Sequence, residues 1–327
     1  MITGTRRWLE SRLLAYWYRP GSHGRLAGWI DSASRRWIAR RKARLQSQAM
    51  HPGIPVLVVG NITVGGTGKT PLVLAVVDYL AQQGWRPGVV CRGHGGQERG
   101  PARVPAGGSP KRFGDEACLM AELSECPTVV ARDRQAGAAL LVEQGVNVIV
   151  SDDGLQHYRL ARDIEVAVIS ATRGLGNGLC LPLGPLREPP ERLEQVDLVL
   201  YNGRKGEQGF QLAPGQVYRL DRRPARPPAA QSVHAVTGIG EPGRFADTLQ
   251  SMGYLPRLHA WPDHHAFDGS ELRFGDEQPI LVTEKDAIKL RVVVSAELAT
   301  RIWVVPVRTT LPGAFKRLLD ARLKPPV

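Results

Sequence analysis

"VLVVGNITVGGTGKTPLV", Val56 to Val73, reads as a strand, a glycine-rich loop and the start of a helix. The β-branched run Val56–Val59 suits a strand buried on both faces. Gly68, Lys69 and Thr70 close the pattern G-x-x-x-x-G-K-[ST], although Thr63 stands where its first glycine is expected. Pro71 fits the first turn of a helix, where a missing N–H is tolerated. Leu72, Val73, Val76, Val77 and Leu80 then recur at helical spacing up to a stop at Gly84. That order makes Thr63, Val64, Gly65, Gly66, Thr67, Gly68, Lys69 and Thr70 a phosphate-binding P-loop. Its backbone N–H groups point inward beside the positive end of a helix. Lys69 is expected to reach the β- and γ-phosphates of ATP, and the Thr70 hydroxyl to sit on Mg²⁺. The alternative is an ordinary glycine-rich turn before a lysine, and the flanking strand and helix weigh against it.

Outward from the loop, "PGVVC", "PTVVA", "VNVIVSDDG", "IEVAVIS" and "VDLVLYN" read as further strands separated by helical segments, one of them capped by Asp133. The alternation predicts an α/β fold with a mainly parallel sheet and ligands at the carboxyl ends of its strands. "GFQLAPGQVYRL" reads as a hairpin and "RRPARPP" as a domain boundary. "VHAVTGIG", "PILVTEKDA" and "IWVVPV" then supply a smaller α/β unit. The expected division is an arm at 1–48, a P-loop domain at 49–208, a hairpin linker at 209–228 and a second domain at 229–327.

The 327 residues suffice for one large or two moderate domains. Cys91, Cys118, Cys126 and Cys180 are scattered, which indicates neither a disulfide framework nor a zinc site. Of the net charge of +12, +9 falls within residues 1–48, together with Trp8, Trp17, Trp29 and Trp37. No stretch there reaches the ~18 apolar residues of a membrane-spanning helix. Leu9, Leu13, Tyr16 and Trp17 can share one helical face, as can Leu26, Ile30, Ala33 and Trp37. Such a tryptophan- and arginine-bearing helix suits a membrane interface. Packing on the protein's own body is the alternative, and nucleic-acid binding ranks third. Because the P-loop lies beyond residue 48, removal of the arm is expected to spare ATP binding.

Asp152 and Asp153 end an apolar strand, where a P-loop protein needs its second Mg²⁺ handle. Asp115 precedes a helix and reads first as an N-cap, with a general base as the second reading. His264 and His265 fall in a turn of the second domain, with no acid or cysteine at metal-ligand spacing. Arg187 and Glu188 lie in a proline- and glycine-rich loop, where the arginine can steady phosphoryl charge or simply be solvated. "LVTEKDAIK" lacks the residue between Lys285 and Asp286 that a guanine-recognition motif requires, which disfavours GTP.

Together, "GNITVGGTGKTP", "RGHGG", "FGDEA", "ARDR", "SDDGLQH", "PLGPLREP", "TGIGEPGRF", "PDHH" and "TEKDAIK" resemble the tetraacyldisaccharide 4′-kinases over nearly the whole chain. The resemblance implies transfer of the ATP γ-phosphoryl group to the 4′-hydroxyl of an acylated glucosamine disaccharide 1-phosphate. It places that reaction on the cytoplasmic face of a Gram-negative inner membrane, with a hairpin hinge between closing domains and no nucleic-acid partner. It implies Asp115 as base, His264 tuning it, Asp152 serving Mg²⁺, and Arg92, Asp153, Gln156, His157, Arg187 and Glu188 lining the site. His94 departs from the family pattern, which usually has tyrosine there. An acylated substrate also gives the arm a reason to lie on a bilayer.

Overall fold

The computed structural model describes residues 12–18, 24–229 and 231–324. Eight strands form the larger sheet: β1 (Val56–Gly60), β2 (Pro87–Cys91), β3 (Ala102–Arg103), β4 (Thr128–Val130), β5 (Val148–Asp152), β6 (Ile164–Ser170), β7 (Leu198–Asn202) and β8 (Gly209–Phe210). Their spatial order is β3-β4-β2-β5-β1-β6-β7-β8. All pairings are parallel except β3 with β4. The P-loop strand β1 is central and buried along its whole length, as its unbroken apolar run requires. Its register sets Val59 beside Asp152, so the β5 acids emerge next to the P-loop.

Helix α1 spans Arg25–Gln46 and α2 spans Lys69–Gln82. The α2 chain turns at Gly84, whose φ is +84°. Helices α3 (Pro110–Phe113) and α4 (Asp115–Leu123) abut at Gly114, which is the cap of α4. Asp115 is therefore the first residue of the helix and not its N-cap. The cap must be glycine: its φ is +89°, and a Cβ would stand 2.4 Å from the His94 carbonyl oxygen. Asp133 does cap α5 (Arg134–Glu143), accepting from the Gln135 N–H.

The predicted hairpin over "GFQLAPGQVYRL" does not form. Its residues divide among three sheets. β8 extends the large sheet, and β9 (Ala213–Pro214) pairs antiparallel with distant β15 (Val307–Arg308). β10 (Tyr218–Arg219) joins the small sheet. That sheet runs β10-β14-β13-β11-β12, with β11 Ser232–Thr237, β12 Leu255–Ala260, β13 Ile280–Thr283 and β14 Ile302–Val305. Helices α6 (Pro242–Ser251), α7 (Glu284–Leu290) and α8 (Ala296–Ala299) accompany it.

The last helix, α9 (Gly313–Arg322), departs from the expected division at 229. Its Phe315 and Leu319, with Leu323 beyond it, are buried in the same core cluster as Leu57, Val59 and Val166 of the large sheet. Apolar faces dock where unfilled surface remains, and the outer side of α2 supplies it.

Helix α1 has one side docked on the body and an exposed apolar side. Asp31, Arg35, Ile38 and Lys42 recur on the side that docks to the body: Arg35 pairs with Glu191 at 3.0 Å, and Lys42 donates to Gln195 at 2.5 Å. Leu26, Trp29, Ile30 and Trp37 stand on the exposed side, with Trp29 76% and Trp37 65% accessible. Leu13 and Tyr16 are exposed and Trp17 is buried, whereas Leu9 and Trp8 lie outside the described residues. Among the described residues no helix is long and apolar enough to cross a membrane.

Candidate active site

The P-loop leaves β1 and closes on α2, and its shape is held by side chains on both flanks. Gly68 adopts φ +82°, and a Cβ there would meet Asn202 Nδ2 at 2.3 Å. The same Asn202 amide donates to the Thr67 carbonyl at 3.0 Å, bracing the tip of the loop. Asn61 Nδ2 donates to the Gly65 carbonyl at 3.3 Å. Neither asparagine is singled out by the sequence pattern; the position of Asn202 at the carboxyl end of β7 is the signal that marks it.

Lys69 Nζ lies 3.4 Å from Asp153 Oδ1, and Arg187 donates to Asp153 Oδ2 at 2.8 Å. Burial pushes the Asp153 pKa up, but the Lys69 and Arg187 charges outweigh it and hold this carboxyl far below the usual range. Asp152 behaves oppositely. Burial pushes it up to about 7 against the pull of Lys69, with the Glu116 charge adding to the rise. Its Oδ1 is buried without a hydrogen-bond partner. An orphaned carboxylate oxygen of this kind beside a P-loop fits a hard cation. Among the described residues no three metal-ligating side chains gather. Magnesium carried with a nucleotide needs only one or two carboxylates.

The second group of charges joins the two sheets. Asp115, only 5% exposed, accepts from His264 Nδ1 at 3.1 and 3.2 Å. His264 sits in the left-handed region, with φ +61°, in the loop after β12. Lys285 of α7 reaches Glu116 at 3.0 Å, Asp263 at 3.2 Å and Asp115 at 3.9 Å. Burial pushes Asp115 up, yet the His264 hydrogen bond and the Lys285 charge prevail and leave it at about 2. The hydrogen bond to Asp115 raises the His264 pKa against the effect of burial. His94 meets this pair: its ring centroid is 5.1 Å from that of His264. His94 thus touches the partner of Asp115.

Other expected site residues have different surroundings. Glu188 is 2% exposed, and its two oxygens are taken by Gln156 and by the Tyr158 hydroxyl. These bonds brace the loop that carries Arg187. Gln156 also donates to the Asn61 carbonyl at 3.1 Å. Burial and the charges of Arg134 and Arg92 push His157 down to about 3, so its imidazole is neutral near pH 7. Arg92 is exposed at the end of β2. Arg173 went unnoticed in the sequence. It pairs with Glu241 of the second sheet's loop at 3.1 Å, and its Nη1 stands 3.2 Å from where a Gly65 Cβ would be.

Basic and acidic groups from both sheets thus converge at the carboxyl ends of β1, β2 and β5, an arrangement suited to moving a phosphoryl group between bound partners. Comparison with known proteins adds to the geometry. The sequence profile of a family described as tetraacyldisaccharide-1-P 4'-kinase matches residues 27–324. A tetraacyldisaccharide 4'-kinase of Alkalilimnicola ehrlichii is 47% identical over 319 residues, which is 95% of this chain and 88% of that one. One of Pseudomonas paraeruginosa is 44% identical, over 96% of this chain and 98% of its own. Among solved structures, the "apo" form of LpxK from Aquifex aeolicus in complex with ATP has a TM-score of 0.70 at 24% identity. That similarity spans 88% of this chain and 95% of the other, and it is one of fold.

Proposed function

The chain belongs to the tetraacyldisaccharide 4'-kinase family, and from that premise we propose its reaction and the part each residue plays. It is an ATP-dependent kinase that transfers the γ-phosphoryl group to the 4′-hydroxyl of a tetraacylated glucosamine disaccharide 1-phosphate. The observation that carries the assignment of roles is the Asp115–His264 pair, made between the two sheets and flanked by the P-loop acids. Glu116, next to Asp115, lies close enough to act on Asp152.

Thr63–Thr70 wrap the phosphates, and Lys69 neutralises charge that grows as the γ-phosphoryl group departs. Lys69 is held in reserve by Asp153, which Arg187 shares. Asp115 takes the proton of the attacking hydroxyl as the new oxygen–phosphorus bond forms and the bond to the β-phosphate oxygen breaks, releasing ADP. With a pKa of about 2 the carboxylate is ionised at neutral pH. His264 keeps it oriented, and only a closed arrangement of the two sheets supplies it. Thr70 and Asp152 are the residues that would hold Mg²⁺, whose charge would stabilise the transferring phosphates. Arg92, Gln156 and His157 surround these groups.

The exposed stripe of Leu26, Trp29, Ile30 and Trp37 on α1 gives the enzyme a lipid-facing surface, with Arg36, Arg40, Arg41 and Arg44 available to anionic headgroups. This supports a peripheral position on the cytoplasmic face of a Gram-negative inner membrane. The test is incubation with γ-labelled ATP and a Gram-negative lipid precursor extract. Label is expected in a bisphosphorylated disaccharide lipid, and its absence there, with nucleic-acid-stimulated phosphate release instead, would overturn the reading.

A further inference from the structure

The loop 177–189 lies between the N-terminal arm and the P-loop, and it is bonded on both sides. On the P-loop side, the Val64 N–H donates to the Pro185 carbonyl at 2.8 Å and the Arg187 N–H to the Ile62 carbonyl at 2.7 Å. Thr63 and Leu186 form an antiparallel bridge between them. On the arm side, the Cys180 N–H donates to Asp31 Oδ1 at 2.7 Å, and Trp17 Nε1 donates to the Pro182 carbonyl at 3.1 Å. The Asn177 N–H returns a bond to the Trp17 carbonyl at 2.7 Å. Within the loop, Cys180 bridges Leu186, and the Leu181 N–H donates to the Leu186 carbonyl at 2.8 Å.

Three bonded steps therefore lead from Asp31 through Cys180 and Leu186 to Thr63. The path from Asp31 to Thr63 is buried. Trp17 and Asp31 are 7% exposed, and Cys180, Leu186 and Ile62 are fully buried in one cluster against which Ile38 of α1 packs. Asp31 is itself fixed by Arg35 at 2.6 Å, and Arg35 by Glu191. A close-packed interior transmits a displacement because no void absorbs it, and an unpaired buried N–H is costly.

We infer that Asp31 and Trp17 are positioning residues for the phosphate-binding loop, so that the arm which presents Trp29 and Trp37 outward also sets nucleotide affinity. This rests on the P-loop being the nucleotide site, and it replaces the expectation that removing residues 1–48 spares ATP binding. Val64 is the residue of the phosphate-binding loop that this path holds most directly. Its N–H is turned to Pro185, which fixes the peptide plane just before Gly65.

The test uses the full chain in detergent micelles with no bilayer, so that membrane attachment plays no part. Trp17→Phe keeps an aromatic ring but removes the Nε1 donor and part of the buried indole; Asp31→Ala removes the acceptor for Cys180. Each variant is measured for KM of ATP, KM of lipid, kcat, and affinity for a fluorescent ATP analogue. The expected result is a rise of about fivefold or more in KM for ATP and in analogue Kd, the usual scale of coupling between sites, with KM for lipid unchanged. A purely structural weakening would lower the melting temperature and the active fraction without moving KM for ATP alone. Unchanged analogue Kd in folded Trp17→Phe and Asp31→Ala would overturn the inference. If Asp31→Ala does not fold, Trp17→Phe decides it. Failure of the wild-type chain to bind the analogue would instead bring down the nucleotide reading itself, and this inference with it.

Discussion

Lys285 gathers three carboxylates from two parts of the chain, Asp115 and Glu116 at the start of α4 and Asp263 beside His264. Removing its charge leaves Asp115 buried with fewer cations near it: His264, and Lys289 at longer range. Lys285→Met is therefore expected to move the acidic limb of kcat upward by roughly one pH unit or more, and Lys285→Arg to restore it. The sign follows from a depressed carboxyl pKa. In the wild type the ionised form of Asp115 is retained until pH falls toward about 2, so its contribution survives through the ordinary carboxylate range. His264 runs the other way: its raised pKa means the charged pair with Asp115 is complete at lower pH and is lost as pH rises through the folded value. Asp115→Asn should lower kcat by about 10²–10⁴-fold at every pH, measured with saturating lipid and ATP. A variant that keeps wild-type kcat would remove Asp115 from the chemistry. The sequence displayed Lys69, Asp115, Asp152 and His264 inside recognisable short motifs. It displayed Lys285 within "TEKDAIK" but gave it no role, because its three partners come from segments that no local spacing connects.

At the scale of elements, strands and helices with strong apolar periodicity were legible, and α2 with its Gly84 stop is the clearest case. The hairpin was not, because turn residues between two apolar runs say nothing about a competing partner. β9 finds that partner in β15, almost a hundred residues later, and the ribbon wins over the local pairing. The sequence division assigned residues 313–322 to the second domain for a related reason: an amphipathic helix carries a buried face without naming the surface that buries it. Phe315 is fully buried among large-sheet residues. Phe315→Ala should cost about 3–5 kcal/mol, the usual range for deleting a buried ring. Urea titration followed by ATP-analogue binding would read this as a lower midpoint at which nucleotide binding is lost. An unchanged midpoint for that loss would show that α9 is dispensable to the P-loop domain. Helix α1 was legible as amphipathic but not as two-faced, since Asp31 and Arg35 look solvated in sequence and are engaged in the fold.

For the molecule as a whole, the two sheets trade parts. The first stretch of chain sends β10 into the small sheet beside β14, and the last stretch sends α9 back into the core of the large one. The chain therefore passes between the sheets twice, and the β9–β15 ribbon ties the two passages together. Neither half is covalently complete, because each carries an element that belongs to the other. A protease site placed in the exposed residues 222–226, between β10 and β11, should accordingly yield two fragments that travel as one particle in gel filtration and keep their kinase activity. Fragments that separate without denaturant would show that the traded elements hold too weakly to matter. If the fragments stay together, the main chain at 222–226 is a convenience of synthesis: two separately translated polypeptides, broken there, should find each other and assemble one working enzyme.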